Sequence, residues 1–462
     1  MNKTVSMSHT VASRLLKGAL ANGFGLLVIV VNQLLSVPFL LSFWGTNLYG
    51  EWLLLSAIPA YLSISDLGFG TVAANEMSML VAKGDRKSAL EVFQSVFVII
   101  GIISLSLILL LLVIIWNIPF ESWFHLTVLT HTAIVQVVIL WVFIAFIGLQ
   151  DSLLEAGFRC DGNFAMGTFF LNLRYLLETL SLIAAVYLGA HPVIAAASIA
   201  SVRLCGFIAL RLLLKRKSPW VVYGFSKASF LDVKRLASPA IAFMAIPFGN
   251  ALSLQGMVLA VGVVIGPAAV VVFSVTRTVS RIVSQFIISI NGSVRPEISM
   301  AYGKGDLGLV GKLHRMSSQF SLWLASAIIM VLLLTGGWLI RIWTHGKIEI
   351  DYVLFSLMML VTLASSFWYA SSVVLMAVNR HQKMAVVYLV GTSISLLLAL
   401  LLMPKWGLNG AAVSLLAVDM IMTAYVISAS LSLTGGSLSS FVKQIVTPPS
   451  LGGVFKLGNY LH

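Results

Sequence analysis

Four arginines, Arg174, Arg203, Arg277 and Arg281, lie inside runs of sequence that are otherwise apolar. A charge at mid-bilayer costs about 2.5–3.5 kcal/mol on insertion scales, so each should face a cavity, a ligand or an opposite charge. Arg277 and Arg281 are one helical turn apart and share a helix face, which Ser274, Ser284 and Gln285 extend as a polar stripe. Two like charges so close repel unless an anion or water lies between them, and guanidinium groups bind phosphate oxygens in bidentate fashion. The chemistry expected of this pair, with Gln285 beside it, is binding of a phosphate-bearing ligand. Arg174 stands one turn before Glu178, a spacing that serves equally for mutual neutralisation and for substrate contact. Arg203 has no acidic neighbour along its own helix and is grouped with the substrate-binding candidates. Asp66, Glu178 and Asp419 are the acids expected to take a coupling ion, H+ or Na+. For Asp66, in Ser65-Asp66-Leu67-Gly68-Phe69-Gly70, helix packing is the alternative.

The elements that must position these groups are transmembrane helices. The 462 residues are 59% hydrophobic and 10% charged, with a mean hydropathy of +1.00, far outside the soluble range. A spanning helix needs ~20 mostly apolar residues. About twelve such stretches are found, near 18–44, 51–74, 91–116, 127–149, 165–188, 192–214, 236–264, 268–291, 317–340, 352–378, 384–403 and 409–432. The net charge of +13 follows this topology. With both termini in the cytoplasm, only Arg341, Lys347 and Lys405 of the 29 Lys and Arg fall in loops on the opposite side. Nucleic acid is therefore not needed to explain the charge. Pro38, Pro59, Pro239 and Pro247 interrupt apolar spans and mark either hinges or static kinks.

The chain repeats itself. Asn75-Glu76-Met77-Ser78-Met79-Leu80-Val81-Ala82-Lys83-Gly84-Asp85 is matched by Pro296-Glu297-Ile298-Ser299-Met300-Ala301-Tyr302-Gly303-Lys304-Gly305-Asp306, and Leu154, Ala156 and Arg159 recur at the same spacing as Leu375, Ala377 and Arg380. One offset relates two separate loops, which points to duplication. The fold class expected is an all-α polytopic membrane protein of two pseudo-symmetric six-helix bundles around a central cavity. Its parts are an N-terminal bundle 1–214, a basic cytoplasmic linker 215–235, a C-terminal bundle 236–432 and a cytoplasmic, partly disordered tail 433–462.

Catalytic signatures are absent from the sequence. The eight histidines fall in predicted tails, loops or helix ends, no Walker motif is present, and Cys160 and Cys205 form neither a disulfide framework nor a metal site. The predicted outer loops are too short for an extracytoplasmic catalytic domain. No enzyme activity, metal or cofactor is expected, and transport is the default.

The segment Trp44-Gly45-Thr46-Asn47-Leu48-Tyr49-Gly50-Glu51-Trp52, followed by Asp66-Leu67-Gly68, resembles the start of polysaccharide flippases of the multidrug/oligosaccharidyl-lipid/polysaccharide exporter superfamily. Ile265-Gly266-Pro267, and the later Pro296-Glu297 and Lys304-Gly305-Asp306, extend the resemblance across nearly the whole chain. The resemblance implies a flippase that carries an undecaprenyl-pyrophosphate-linked oligosaccharide, such as an O-antigen repeat unit, to the outer leaflet of the bacterial inner membrane by alternating access. Polysaccharide polymerase and ligase machinery would be its partners. A cation-coupled multidrug exporter is the nearest competitor, although four intramembrane arginines suit it poorly. A peptidoglycan-precursor flippase and a membrane-embedded polymerase or ligase stand further off.

Overall fold

A computed structural model of the chain describes residues 2–60, 68–117, 119–378 and 380–449. Among these residues there is no strand, and the helices follow the apolar runs. They are α1 Asn2–Ala60, α2 Phe69–Ala82, α3 Arg86–Asn117, the short α4 Phe120–Phe124, α5 His131–Cys160, α6 Phe164–Tyr187 and α7 Pro192–Lys217. After a connector come α8 Phe230–Ala251, one π turn Leu252–Gly256, α9 Met257–Val264, α10 Pro267–Gly303, α11 Leu307–Trp343, α12 Tyr352–Ala377, α13 Gln382–Trp406, α14 Leu408–Thr434 and α15 Leu438–Val446.

Among the described residues, eleven helical runs are long and apolar enough to cross a bilayer, where about twelve are expected. The difference lies in α1. Leu20–Ala57 counts as one run, yet Gly45 divides it at φ 70° and ψ −178°, a backbone state open to glycine. The outward faces carry Leu105, Leu334 and Leu401, 57%, 80% and 73% exposed, which only a lipid environment makes favourable. The chain is a multi-pass membrane protein.

The duplication is visible in backbone geometry. Gly84 (φ 83°) and Gly305 (φ 76°) end α2 and α10 in the left-handed region. The Asp85 and Asp306 amides each donate back to the preceding helix, to Leu80 O and Ala301 O at 3.0 Å. Each aspartate then caps the next helix, Asp85 accepting from Ser88 N at 3.0 Å and Asp306 from Leu309 N at 2.8 Å. The bonds from Ser88 hold the Asp85 carboxyl below its ordinary value. Gly45 has a counterpart of its own at the same offset, Gly266, with φ 120° and ψ 176° at the start of α10.

Two compact units divide between Phe248 and Gly249, inside α8 rather than in the linker. The linker folds onto the first unit, which explains the shift. Gln94, only 3% exposed, donates from Nε2 to Val222 O at 3.0 Å and accepts from Lys227 N at 2.8 Å through Oε1. Ser95 Oγ accepts from Ser229 N at 2.8 Å, and Tyr223 packs edge-on against Phe93 and Phe97. Arg211 lies 4.5 Å from the centre of the Tyr223 ring. Replacing Gln94 by leucine removes both bonds of this clamp, at about 0.5–1.5 kcal/mol each. Amide exchange at Lys227 is expected to quicken by about tenfold, read by hydrogen–deuterium exchange of the detergent-solubilised chain.

The second unit adds detail to one expectation and corrects another. The tail expected to be partly disordered contains the ordered helix α15. Ser437 caps α15, accepting from Ser440 N at 3.3 Å, and Phe441 and Ile445, 1% and 2% exposed, bury against Leu431, Leu322 and Phe367. The tail's low charge conceals an apolar pair at helical spacing. Gln319 Nε2 and Trp323 Nε1 also donate to Thr447 O, at 2.7 and 3.0 Å. His314, expected at a loop or helix end, is 1% exposed within α11, pairs with Ser371 Oγ at 3.1 Å and stacks on Phe441.

Candidate functional site

In the second unit, the α10 stripe opens onto a cavity of about 100 Å³. Arg277, Arg281 and Gln285 line it from α10, Asp419 from α14, Tyr388 from α13 and Tyr369 from α12. Four residues expected to bind substrate or a coupling ion, Arg277, Arg281, Gln285 and Asp419, are thus brought together. Neither arginine is within ion-pairing distance of a carboxylate among the described residues.

Arg277 is held by the π turn. Its Nη1 donates to Ser253 O at 2.8 Å and its Nη2 to Ser253 Oγ at 3.0 Å, while Phe273 lies under the guanidinium at 5.6 Å. An α-helix interior leaves few carbonyls free for such a bond, and single π turns recur at functional sites. Asp419, 9% exposed, accepts from Trp368 Nε1 at 2.8 Å, and Tyr388 Oη donates to Asn250 Oδ1 at 2.8 Å. Arg281 is exposed at the cavity. The arrangement offers two cations, hydroxyls and amides to an anion, with one acid and two aromatic rings on the other helices. Asn250, Ser253, Tyr369 and Tyr388 escaped the sequence reading because no local spacing ties them to α10.

The first unit arranges its charges differently. Arg174 donates to Asp151 through Nη1 and Nη2 at 2.8 and 2.5 Å, and Arg203 donates to Glu178 through Nε and Nη2 at 2.6 and 2.5 Å. Arg174 Nε and Glu178 Oε1 are 3.2 Å apart, joining the two pairs without a well-aligned hydrogen bond. Arg174, Arg203 and Glu178, expected to meet substrate or ion, are here partners in a neutral four-membered network on α5, α6 and α7. Asp151 was missed because the helix expected to end near 149 runs on to Cys160, which places this acid in the bundle. Asp66 lies outside the described residues.

A third buried acid went unread. Glu51, 0% exposed, accepts from the backbone amides of Thr127, Val128 and Leu129 at 2.6, 2.8 and 2.9 Å. It ties α1 to the turn before α5. Beside it Trp52 packs between Trp44 and Trp141 in an aromatic cluster. Glu51 is therefore structural.

The second unit thus encloses a charged polar cavity among helices long and apolar enough to cross a bilayer. No family model matches the sequence, and no curated protein matches it either. Solved structures do share the fold. An inward-facing multidrug resistance MATE family transporter of the MOP superfamily aligns with a TM-score of 0.69 at 13% identity, over 87% of this chain and 99% of that one. The lipid II flippase MurJ, in an inward closed conformation, aligns with a TM-score of 0.66 at 13% identity, over 96% of each chain. An outward-facing MATE family transporter aligns with a TM-score of 0.60 at 14% identity, over 91% of this chain and 96% of that one. The chain has the MATE and MurJ fold.

Proposed function

We propose that this protein is a flippase of the MOP superfamily that carries an undecaprenyl-pyrophosphate-linked oligosaccharide across the bacterial inner membrane, both termini cytoplasmic, coupled to H+ or Na+ and using no cofactor. The observation that carries this reading is the pairing of Arg277 with Arg281, with no carboxylate at ion-pair distance among the described residues, on a wall of hydroxyl and amide groups. The cavity's size fits a phosphate-sized group rather than a glycan, since about 100 Å³ compares with ~30 Å³ for one water. On this reading the pyrophosphate is held at Arg277 and Arg281, the sugars lie beyond Arg281, and the lipid tail stays in the bilayer. Asp419 faces the same cavity, so a proton or cation there would weigh against the bound anion and bias the alternating states. O-antigen polymerase and ligase machinery would act on the delivered glycan.

The second reading, a cation-coupled drug exporter, draws on Asp419, bonded by Trp368, with Tyr369 and Tyr388, an acidic and aromatic wall suited to organic cations. Translocation of a fluorescent undecaprenyl-pyrophosphate oligosaccharide in proteoliposomes separates the two. Wild-type chain is expected to flip it, and Arg277→Ala and Arg281→Ala each to slow flipping at least about thirtyfold, the loss of a charge-assisted contact to phosphate. Wild type inert toward lipid-linked glycans yet active in exporting a cationic dye would favour the exporter instead.

A further inference from the structure

A second opening lies far along the sequence from the cationic cavity, in the first unit. Between α6 and α7 runs a groove of about 760 Å³, walled by Phe170, Leu177, Cys205, Ala209 and Leu212 and ending at Arg216. Its shape follows from sequence. Ser201, Cys205 and Ala209 recur every fourth residue of α7, so small side chains leave one strip of the helix open. Gly206 completes it. A Cβ there would stand 2.4 Å from Cδ of Arg174, so glycine lets the arginine stem lie against α7 while its guanidinium reaches Asp151. The floor is therefore methylene, and the charge beneath it is already paired.

We propose that this groove holds one anionic phospholipid, its phosphate on Arg216 and an acyl chain along the wall toward Ser201. The span from Ser201 to Arg216 is about 22 Å at 1.5 Å per residue, longer than the ~15 Å hydrocarbon half of a bilayer. A chain anchored at headgroup level thus has apolar wall for its whole depth. Only the Arg216 end carries unpaired charge. Arg216 is exposed together with Lys215 and Lys217 in the last turn of α7, and no acid pairs with them among the described residues. A cluster of cations at the end of a membrane helix favours anionic headgroups by about a factor of five per residue, and Arg216 presents the fork that fits phosphate. This site is independent of the flippase reading, because its residues belong to the other unit from Arg277 and Arg281.

The test is native mass spectrometry of the full chain released from detergent micelles, titrated with phosphatidylglycerol, phosphatidylcholine or undecaprenyl phosphate. Phosphatidylglycerol is expected to bind at least about fivefold more tightly than phosphatidylcholine, and Arg216→Ala to weaken it about fivefold. Ala209→Trp fills the groove without changing charge and should weaken it as much; Cys205→Leu serves if the tryptophan variant folds poorly. Equal retention of the two phospholipids would overturn the proposal, as would phosphatidylglycerol affinity unchanged by groove filling. Displacement of phosphatidylglycerol by undecaprenyl phosphate at equal concentration would overturn it too, making a prenyl lipid the occupant.

Discussion

Glu51→Ala is expected to lower the stability of the protein by about 3–5 kcal/mol, the range for removing one member of a buried charge-assisted assembly. The fully buried carboxylate receives three backbone amides, from Thr127, Val128 and Leu129, and alanine removes the acceptor of all three, the buried Leu129 amide among them. Glu51→Gln retains one acceptor oxygen but turns an NH2 group toward the remaining donors, so it should fall between wild type and alanine. Thermal unfolding in detergent, followed by helical circular dichroism, checks both. Alanine and wild type melting together would mean that the 127–129 turn is held by other contacts and that Glu51 is free for another role.

The second large effect concerns the network of Arg174, Asp151, Arg203 and Glu178. Glu178→Leu strands Arg203, whose Nε and Nη2 bond to that carboxylate, and a cost of about 3–5 kcal/mol is expected. Adding Arg203→Leu removes the stranded charge and should restore most of the loss, because two packed leucines replace an ion pair at little net expense. Arg174 keeps Asp151 throughout and is the internal control. Coupling measured by the double-mutant cycle should reach at least about 2 kcal/mol. Additive losses would show that Glu178 and Arg203 act separately, which would return both to the list of candidate transport residues.

The fold was legible where physics is local. Apolar runs of spanning length located the helices, and the Lys-Gly-Asp turn recurring after α2 and α10 disclosed the duplication, because glycine at φ 83° and 76° and a capping aspartate leave little freedom in residue choice. The stripe on α10 was legible for the same reason, one helix face being a fixed spacing. What escaped depended on contacts between distant segments. Asp151 meets Arg174 across 23 residues and Glu178 meets Arg203 across 25, so spacing along one helix could not reveal either pair. Trp368 and Asp419 are 51 residues apart, and Tyr388 and Asn250 are 138 apart. Gly45 falls at the break expected between the spans 18–44 and 51–74, and its φ of 70° marks that break inside one continuous apolar run.

The difference between the two buried charge sets has an electrical side. Arg174, Arg203, Asp151 and Glu178 sum formally to zero, so displacing them across a membrane potential does no work. Arg277, Arg281 and Asp419 leave one formal positive charge around the second unit's cavity, worth up to about 2.3 kcal/mol per 100 mV if carried across the whole field. A pyrophosphate diester bound there, with two negative charges, reverses that sign. Under the flippase reading, a voltage negative inside pushes the loaded cavity outward and draws the empty one back, so the resting potential of the cell would rectify both halves of the cycle.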